Sequence, residues 1–177
     1  ASQPDMVLDA LGNPVVAWVE EEQVFVKHWT GLSWRQLVDA LNVDPANAAS
    51  SPALVLDSGG EPIVTWDEPV EGEEGSSVIV AKRWDGNTWV SYGVVASGAE
   101  FHFNPDIALD ADGNPIIAWS WTKQVGSQVY VKRWDGEAWL QMGDMLNLNP
   151  GEFLDPVSAP FSSLATDSDG NPVVAWA

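Results

Sequence analysis

The residues of this chain best placed to do chemistry are two pairs of aspartates. Asp110 and Asp112, and again Asp167 and Asp169, stand in Asp-x-Asp-Gly runs, a spacing at which calcium loops present hard oxygen ligands. Calcium held by these four carboxylates is one expectation. The other is a tight hairpin in which the first aspartate caps backbone amides. Related runs carry Leu11 and Gly59 where the second aspartate would stand, and no downstream glutamate closes an EF-hand-like loop. Aromatic residues are the second resource: there are 11 tryptophans in 177 residues, and flat rings bind sugars by stacking on their apolar faces. Other chemistries lack their signatures. There is no cysteine, no Gly-x-Ser-x-Gly and no phosphate-binding loop, and His28 and His102 fit no metal-ligand spacing.

What must position these residues is a repeat. Asp9-Ala-Leu-Gly-Asn-Pro-Val-Val-Ala-Trp18 returns as Asp57-Ser-Gly-Gly-Glu-Pro-Ile-Val-Thr-Trp66, as Asp110-Ala-Asp-Gly-Asn-Pro-Ile-Ile-Ala-Trp119 and as Asp167-Ser-Asp-Gly-Asn-Pro-Val-Val-Ala-Trp176, with the tryptophans 48, 53 and 57 residues apart. A period near 50 implies stacked units that bury their faces against their neighbours. Ten of the 11 tryptophans recur at equivalent positions and are expected to fill the space between units; Trp121 alone does not recur.

The third unit reads most clearly. A short apolar strand, residues 105–110, turns at Ala111-Asp-Gly-Asn114 into a second, Pro115–Trp121. Gln128–Trp134 is a third strand, and Asp135-Gly136 turns the chain into a fourth, Ala138–Met142. The other units follow suit, with Val24–Trp29 and Val78–Trp84 as third strands; Leu37–Leu41 is too short for a helix. The reading is an all-β, single repeat array over residues 1–177, with units at about 4–51, 52–104, 105–161 and a partial 162–177. Each complete unit is a four-stranded antiparallel β-propeller blade, about three and a half in all. Residues 42–51, 93–104 and 143–161 read as crossover loops.

Asp-x-Asp-Gly-Asn-Pro ahead of an apolar strand, followed by Lys132-Arg-Trp-Asp-Gly-x-x-Trp139, resembles the repeats of secreted bacterial β-propellers, including the sialidase-like or Asp-box type. The resemblance spans essentially the whole chain. An Asp-box runs Ser/Thr-x-Asp-x-Gly-x-Thr-Trp; Thr166-Asp-Ser-Asp-Gly170 comes near it, with proline in place of the Thr-Trp ending. Sialidase chemistry would also require converging arginines and a tyrosine nucleophile. Arg35, Arg83 and Arg133 are the only arginines, two of them at equivalent positions, and Tyr92 and Tyr130 have no motif around them. Arg83 and Arg133 are instead expected to pair with a repeated aspartate and hold blades in register.

Charge narrows the partners. With 26 acidic residues against 7 basic, the net charge of −19 opposes binding to nucleic acid and anionic membranes. No apolar run is long enough to insert in a membrane. The acidic stretches Glu20–Glu22 and Asp67–Glu74 read as solvated hairpin tips. The internal loops 68–75 and 121–128 differ most between units, so Glu68 and Trp121 are the expected ligand-binding residues. The reading is a non-enzymatic extracellular or cell-surface module for binding or assembly. It would recognise carbohydrate, or associate with other copies of itself or with further blades of a longer chain, through unfinished blades. The alternative is a fragment of a sialidase-like glycoside hydrolase whose catalytic residues lie elsewhere. No cofactor is expected beyond calcium.

Overall fold

A computed structural model describes residues 1–70, 72, 75–98, 100–123, 126–146 and 162–176. These residues form 14 strands and, among them, no helix. The first sheet contains β1 (Ser2–Leu8), β2 (Pro14–Glu20), β3 (Gln23–Trp29) and β4 (Trp34–Gln36). The second contains β5 (Ser50–Leu56), β6 (Pro62–Pro69), β7 (Ser77–Trp84) and β8 (Trp89–Ala96), and the third β9 (Phe101–Leu109), β10 (Pro115–Lys123), β11 (Gly126–Trp134) and β12 (Trp139–Gln141). A two-stranded fourth sheet pairs β13 (Ser162–Thr166) with β14 (Pro172–Trp176). Every sheet is an antiparallel meander in sequence order. The architecture is all-β, built of propeller blades.

Turn chemistry dictates the hairpins. In each unit the first aspartate's Oδ1 accepts the amides two and four residues on, as with Gly59 at 2.8 Å and Glu61 at 3.0 Å from Asp57. The glycine that follows takes φ of +80° to +84° in all four turns (Gly12, Gly60, Gly113 and Gly170), where any other residue is strained. At the second tight turn, Asp85 and Asp135 accept two amides each. The tryptophans flanking that turn meet edge to face, at 5.6, 5.5 and 5.4 Å in the three complete sheets.

Packing follows the strand alternation. One face of the first sheet (Val15, Ala17, Val24, Val26) buries against the facing side of the next (Leu54, Val64, Trp66, Val80). The same arrangement joins the second sheet to the third and the third to the fourth. Polar contacts lock the register: Lys82 Nζ donates to the carbonyl of Leu41 and Lys132 Nζ to that of Val95, both at 2.6 Å. Trp89 and Trp139 indole N–H groups donate to Leu37 and Tyr92 carbonyls at 2.9 and 3.0 Å. Asp5 and Asp106 accept the amides of Leu54 and Leu164 in the following sheet.

Three expectations need correction. The arginine–aspartate pair lies inside one sheet: Arg83 Nη2 sits 2.6 Å from Asp57 Oδ2 and Arg133 Nη1 3.7 Å from Asp110 Oδ2. It ties the first turn to the third strand; the lysines and indoles hold neighbouring sheets together. Residues 50–51, 93–96 and 101–104 are strand and not crossover loop, and the first strand of each four-stranded sheet carries a bulge. Gln3, Ser51 and Asn104 sit there at φ of +50° to +51°. Finally, the periodic tryptophans are not all core. Trp66, Trp84 and Trp119 are buried, but Trp34 and Trp176 are exposed.

Candidate functional site

The two ends of the sheets differ in character. At the end carrying the aspartate turns, Asp110 Oδ1 accepts the amides of Asp112 and Asn114 at 3.0 and 2.8 Å, and its Oδ2 accepts Asn114 Nδ2 at 3.2 Å. Asp167 repeats this with Asp169 and Asn171. The Asn171 side chain and amide hold its carboxyl below the ordinary range. Asp9 does the same in a turn that has Leu11 in place of a second aspartate. Asp112 and Asp169 are exposed, and no group of three or more potential ligands that could hold a metal exists among the described residues. What these residues form is a repeated turn.

The opposite end carries the departures from the repeat. Glu20, Glu68 and Trp121 occupy the same position, two residues after the repeated tryptophan. Trp18 donates its indole N–H to Glu20 at 3.1 Å and Trp66 donates to Glu68 at 2.5 Å. Glu68 is 1% exposed and also accepts the amides of Val43 and Asp44. It is therefore a buried structural carboxylate and not a solvated tip. Asp67, buried beside it, accepts from Ser50 Oγ and from the Asn104 amide. Burial raises its carboxyl to about 6, against those bonds and with help from the neighbouring Glu68 charge. The rest of the 68–75 loop is only partly within the described residues.

In the third sheet the glutamate is replaced by Trp121, and the indole N–H of Trp119 turns instead to His102 Nδ1, 3.1 Å away. An indole nitrogen can only donate, so Nδ1 is the acceptor and the proton of neutral His102 sits on Nε2. Burial pushes the imidazole down to about 4, against the raising effect of Glu100 and with that of Lys132, so His102 is neutral at pH 7. Its backbone is clamped by Ser77, whose Oγ donates to the carbonyl and accepts from the amide, both at 2.6 Å. His102 is buried, and Nε2 has no hydrogen-bond partner among the described residues.

His102 lines a cleft of 220 Å³ between the second and third sheets, with Trp119, Trp121, Tyr130 and Lys132 around it. Trp121 meets Tyr130 edge to face at 5.9 Å, and Tyr130 stacks on Trp119 at 5.8 Å. Trp121 is thus half-buried in a cleft wall and not displayed on a loop. Tyr130 OH donates to Gln128 at 3.0 Å. Sequence reasoning singled out Trp121 and set aside His102 and Tyr130, which the structure brings beside it. The available signal was the exchange of Glu20 and Glu68 for a tryptophan at one repeat position, which obliges another group to satisfy the indole below it.

No protein-family model and no curated protein matches the chain. Solved structures do match, and the likeness is one of fold. A fucose lectin from Kordia zhangzhouensis in complex with methyl-fucoside aligns over 80% of this chain and 99% of its own, at 18% identity and TM-score 0.52. Penicillium chrysogenum α-L-arabinanase complexed with arabinobiose aligns over 98% of this chain at 13% identity and TM-score 0.65, and the chain spans 56% of its length. A thermostable family-43 glycoside hydrolase aligns over 98% of this chain and 64% of its own, at 12% identity and TM-score 0.58. The fold is thus shared by a sugar-binding protein and by sugar-cleaving enzymes.

Proposed function

We propose that this chain is a non-enzymatic, extracellular glycan-binding module whose recognition cleft lies between the second and third sheets. The observation that carries this reading is the His102 Nε2–H, a buried donor with a fixed tautomer set among aromatic rings. A sugar seated there would lay an apolar face on Trp121 or Tyr130 and offer a hydroxyl oxygen to Nε2–H. The cleft is smaller than the roughly 300–1,000 Å³ of drug-sized sites, which suits a single sugar ring or chain end. A net charge of −19 favours neutral sugars over uronic or sialic acids.

The test is a glycan array followed by titration of the best neutral ligand, read by tryptophan fluorescence. Trp121→Glu restores the residue type of the other two complete sheets, so it is expected to fold and to lose binding at least tenfold; His102→Phe should do likewise. Undiminished binding in both variants would sink the reading. A second reading, part of a glycoside hydrolase, draws support from the shared fold and from the near-neutral titration of buried Asp67. Release of new reducing ends from arabinan or another neutral polysaccharide, abolished by Asp67→Asn, would favour it.

A further inference from the structure

At the end that carries the aspartate turns, the gap between the first and second sheets is filled differently from the gap between the second and third. In the latter, Tyr92 of the second sheet reaches Trp134 of the third, ring centroids 5.3 Å apart. Leu37 of the first sheet stands at the position of Tyr92, facing Trp84, with a smaller side chain. Gly59 in the second sheet's turn stands at the position of Asp112 and brings no side chain at all. Here the structure has a cleft of 300 Å³, lined by buried Leu37 and Trp84 and by exposed Leu11. Its charged residues depart from the repeat as well. Arg35 replaces Val90 and Leu140, and Glu61 replaces Asn13, Asn114 and Asn171. Arg83 and Arg133 pair with aspartates. Arg35 makes no ion pair and donates no hydrogen bond among the described residues; its guanidinium carbon lies 6.0 Å from the centre of the Trp84 ring. The Glu61 carboxylate accepts no hydrogen bond among them either. Its field reaches Arg83, whose guanidinium is already held by Asp57. Asp9 and His28, also on the wall, are engaged with each other, and two amides and the Asn13 side chain fill the remaining positions on Asp9.

We propose that this cleft binds a small zwitterion, an α-amino acid with an apolar side chain. Its carboxylate would sit on Arg35, its ammonium on Glu61 and its side chain against Leu11, Leu37 and Trp84. Two opposite charges share the cleft without pairing to each other, so each keeps its hydrogen-bonding positions for a ligand. A simple carboxylate would meet Glu61 and a simple amine would meet Arg35, so a molecule carrying one charge alone is opposed by half of the site. A zwitterion satisfies both halves. Having no net charge, it also meets no overall repulsion from a chain at −19. The guanidinium fork accommodates a carboxylate bidentately. Trp84 already holds that guanidinium by a cation–π contact, so less side-chain freedom is left to lose on binding. Leu11 is 87% exposed, and covering it with an apolar side chain removes that surface from water. The site lies at the opposite end of the sheets from His102 and Trp121, between a different pair of sheets, and is independent of the sugar cleft.

The test titrates the whole chain with L-leucine and L-phenylalanine, read by NMR shifts and by calorimetry. Saturable binding is expected, with the shifts centred on Arg35, Leu37 and Trp84. Isocaproate and isoamylamine, which are leucine without its ammonium and without its carboxylate, should each bind at least roughly tenfold more weakly, the loss of one charge-assisted hydrogen bond. Three variants give the cleft a residue that another sheet already carries at that position: Arg35→Leu as at Leu140, Glu61→Asn as at Asn114 and Leu37→Tyr as at Tyr92. The first two should lower leucine affinity at least roughly tenfold by removing a charged partner, and the third by filling the space. A dispersed spectrum like that of wild type checks that each is folded. Arg35 is exposed, so Arg35→Leu decides the matter if Leu37→Tyr disturbs the packing. Failure of both amino acids to bind at millimolar concentration would overturn the proposal. So would shifts centred on His102 and Trp121, equal binding of isocaproate or isoamylamine, or undiminished affinity in Arg35→Leu.

Discussion

Asp67 is a buried carboxylate, and burying it carries an energetic cost that depends on pH. Its side chain is 7% exposed with the rest of the residue, and burial lifts it from the ordinary 3.8 to about 6. The unfolded chain therefore releases this proton near pH 4 and the folded chain near pH 6. Between those values the folded state binds more protons, so stability falls as pH rises through the window and stays lowered above it. A shift of about 2 units corresponds to about 3 kcal/mol at roughly 1.4 kcal/mol per unit. Asp67→Asn removes the charge and keeps an oxygen to accept the Asn104 amide, while Ser50 Oγ can turn to accept from the new amide. The variant should consequently be more stable than wild type at pH 8, by up to about 3 kcal/mol. For a chain of this size that is a rise of roughly 6–12 °C in Tm. At pH 4 the two proteins should melt within about 2 °C of each other, since the carboxyl is then protonated in the native state. Thermal and urea unfolding at both pH values gives the comparison directly. A variant that is less stable at pH 8, or equally shifted at pH 4 and pH 8, would refute the reasoning: Asp67 would then be valued for its hydrogen bonds and not opposed for its charge.

Other outcomes follow from single contacts. Gly113 and Gly170 share φ near +80°, but a Cβ on Gly113 meets nothing while one on Gly170 would lie 2.3 Å from the Ala111 amide nitrogen. Gly113→Ala should cost about 1 kcal/mol, and Gly170→Ala distinctly more, with the fourth sheet released first in hydrogen exchange; equal costs would contradict the close approach. Asp57→Ala removes the acceptor of two backbone amides and the Arg83 partner and should cost about 2 kcal/mol. Arg83→Met removes only a half-exposed partner and should cost under about 1 kcal/mol, less in high salt; the reverse order in urea titrations would count against the turn as the main role of Asp57. Saturating calcium at a hundredfold excess over Kd would add about 2.7 kcal/mol if a site existed. Because the Asp110 and Asp167 oxygens already accept amides, no change in Tm is expected, and a clear rise would support the calcium reading of Asp110, Asp112, Asp167 and Asp169.

How much was legible in the chain depended on the range of the physics involved. Hairpin turns are local: Asp, Gly and Pro within six residues specify each one, with Asn before the proline in three copies and Glu61 in the other. The alternation of Val, Ala and Trp gave sheets with two buried faces, hence stacking. The arginine–aspartate pair was legible as a pair, but not as lying within one sheet, because that depends on Arg83 standing beside its own first turn. Glu68 was misread as solvated since its sequence neighbours are acidic and polar; its burial comes from Trp66 beneath it and from the loop at Val43 and Asp44 folding over it. His102 was hidden by the bulge at Asn104. A non-glycine residue at positive φ gives no sequence signal, and it breaks the period-two count that would otherwise assign His102 to a face.

The strongest reason to look for function at the cleft between the second and third sheets is the economy of the repeat itself. A buried indole N–H must be satisfied, and two sheets do this with a glutamate two residues on, whose charge is then consumed by further amides or left at the surface. If the third sheet needed only to fold, a third glutamate would serve. Instead it carries Trp121, and the acceptor comes from another strand as His102 Nδ1. That exchange replaces an acceptor-only anion with a neutral ring that accepts from Trp119 on one side and offers a proton on the other. In a chain of net charge −19, a further carboxylate in the cleft could neither donate to a sugar hydroxyl oxygen nor stack on its ring. Histidine and tryptophan together have the chemistry for both. Trp121→Glu therefore asks whether the third sheet can be returned to the pattern of the others without loss of anything except recognition. A variant that folds, melts like wild type and no longer binds would mean that the departure from the repeat exists for the ligand. A variant that binds unchanged would mean that it exists for packing, with Trp121 filling the wall against Tyr130.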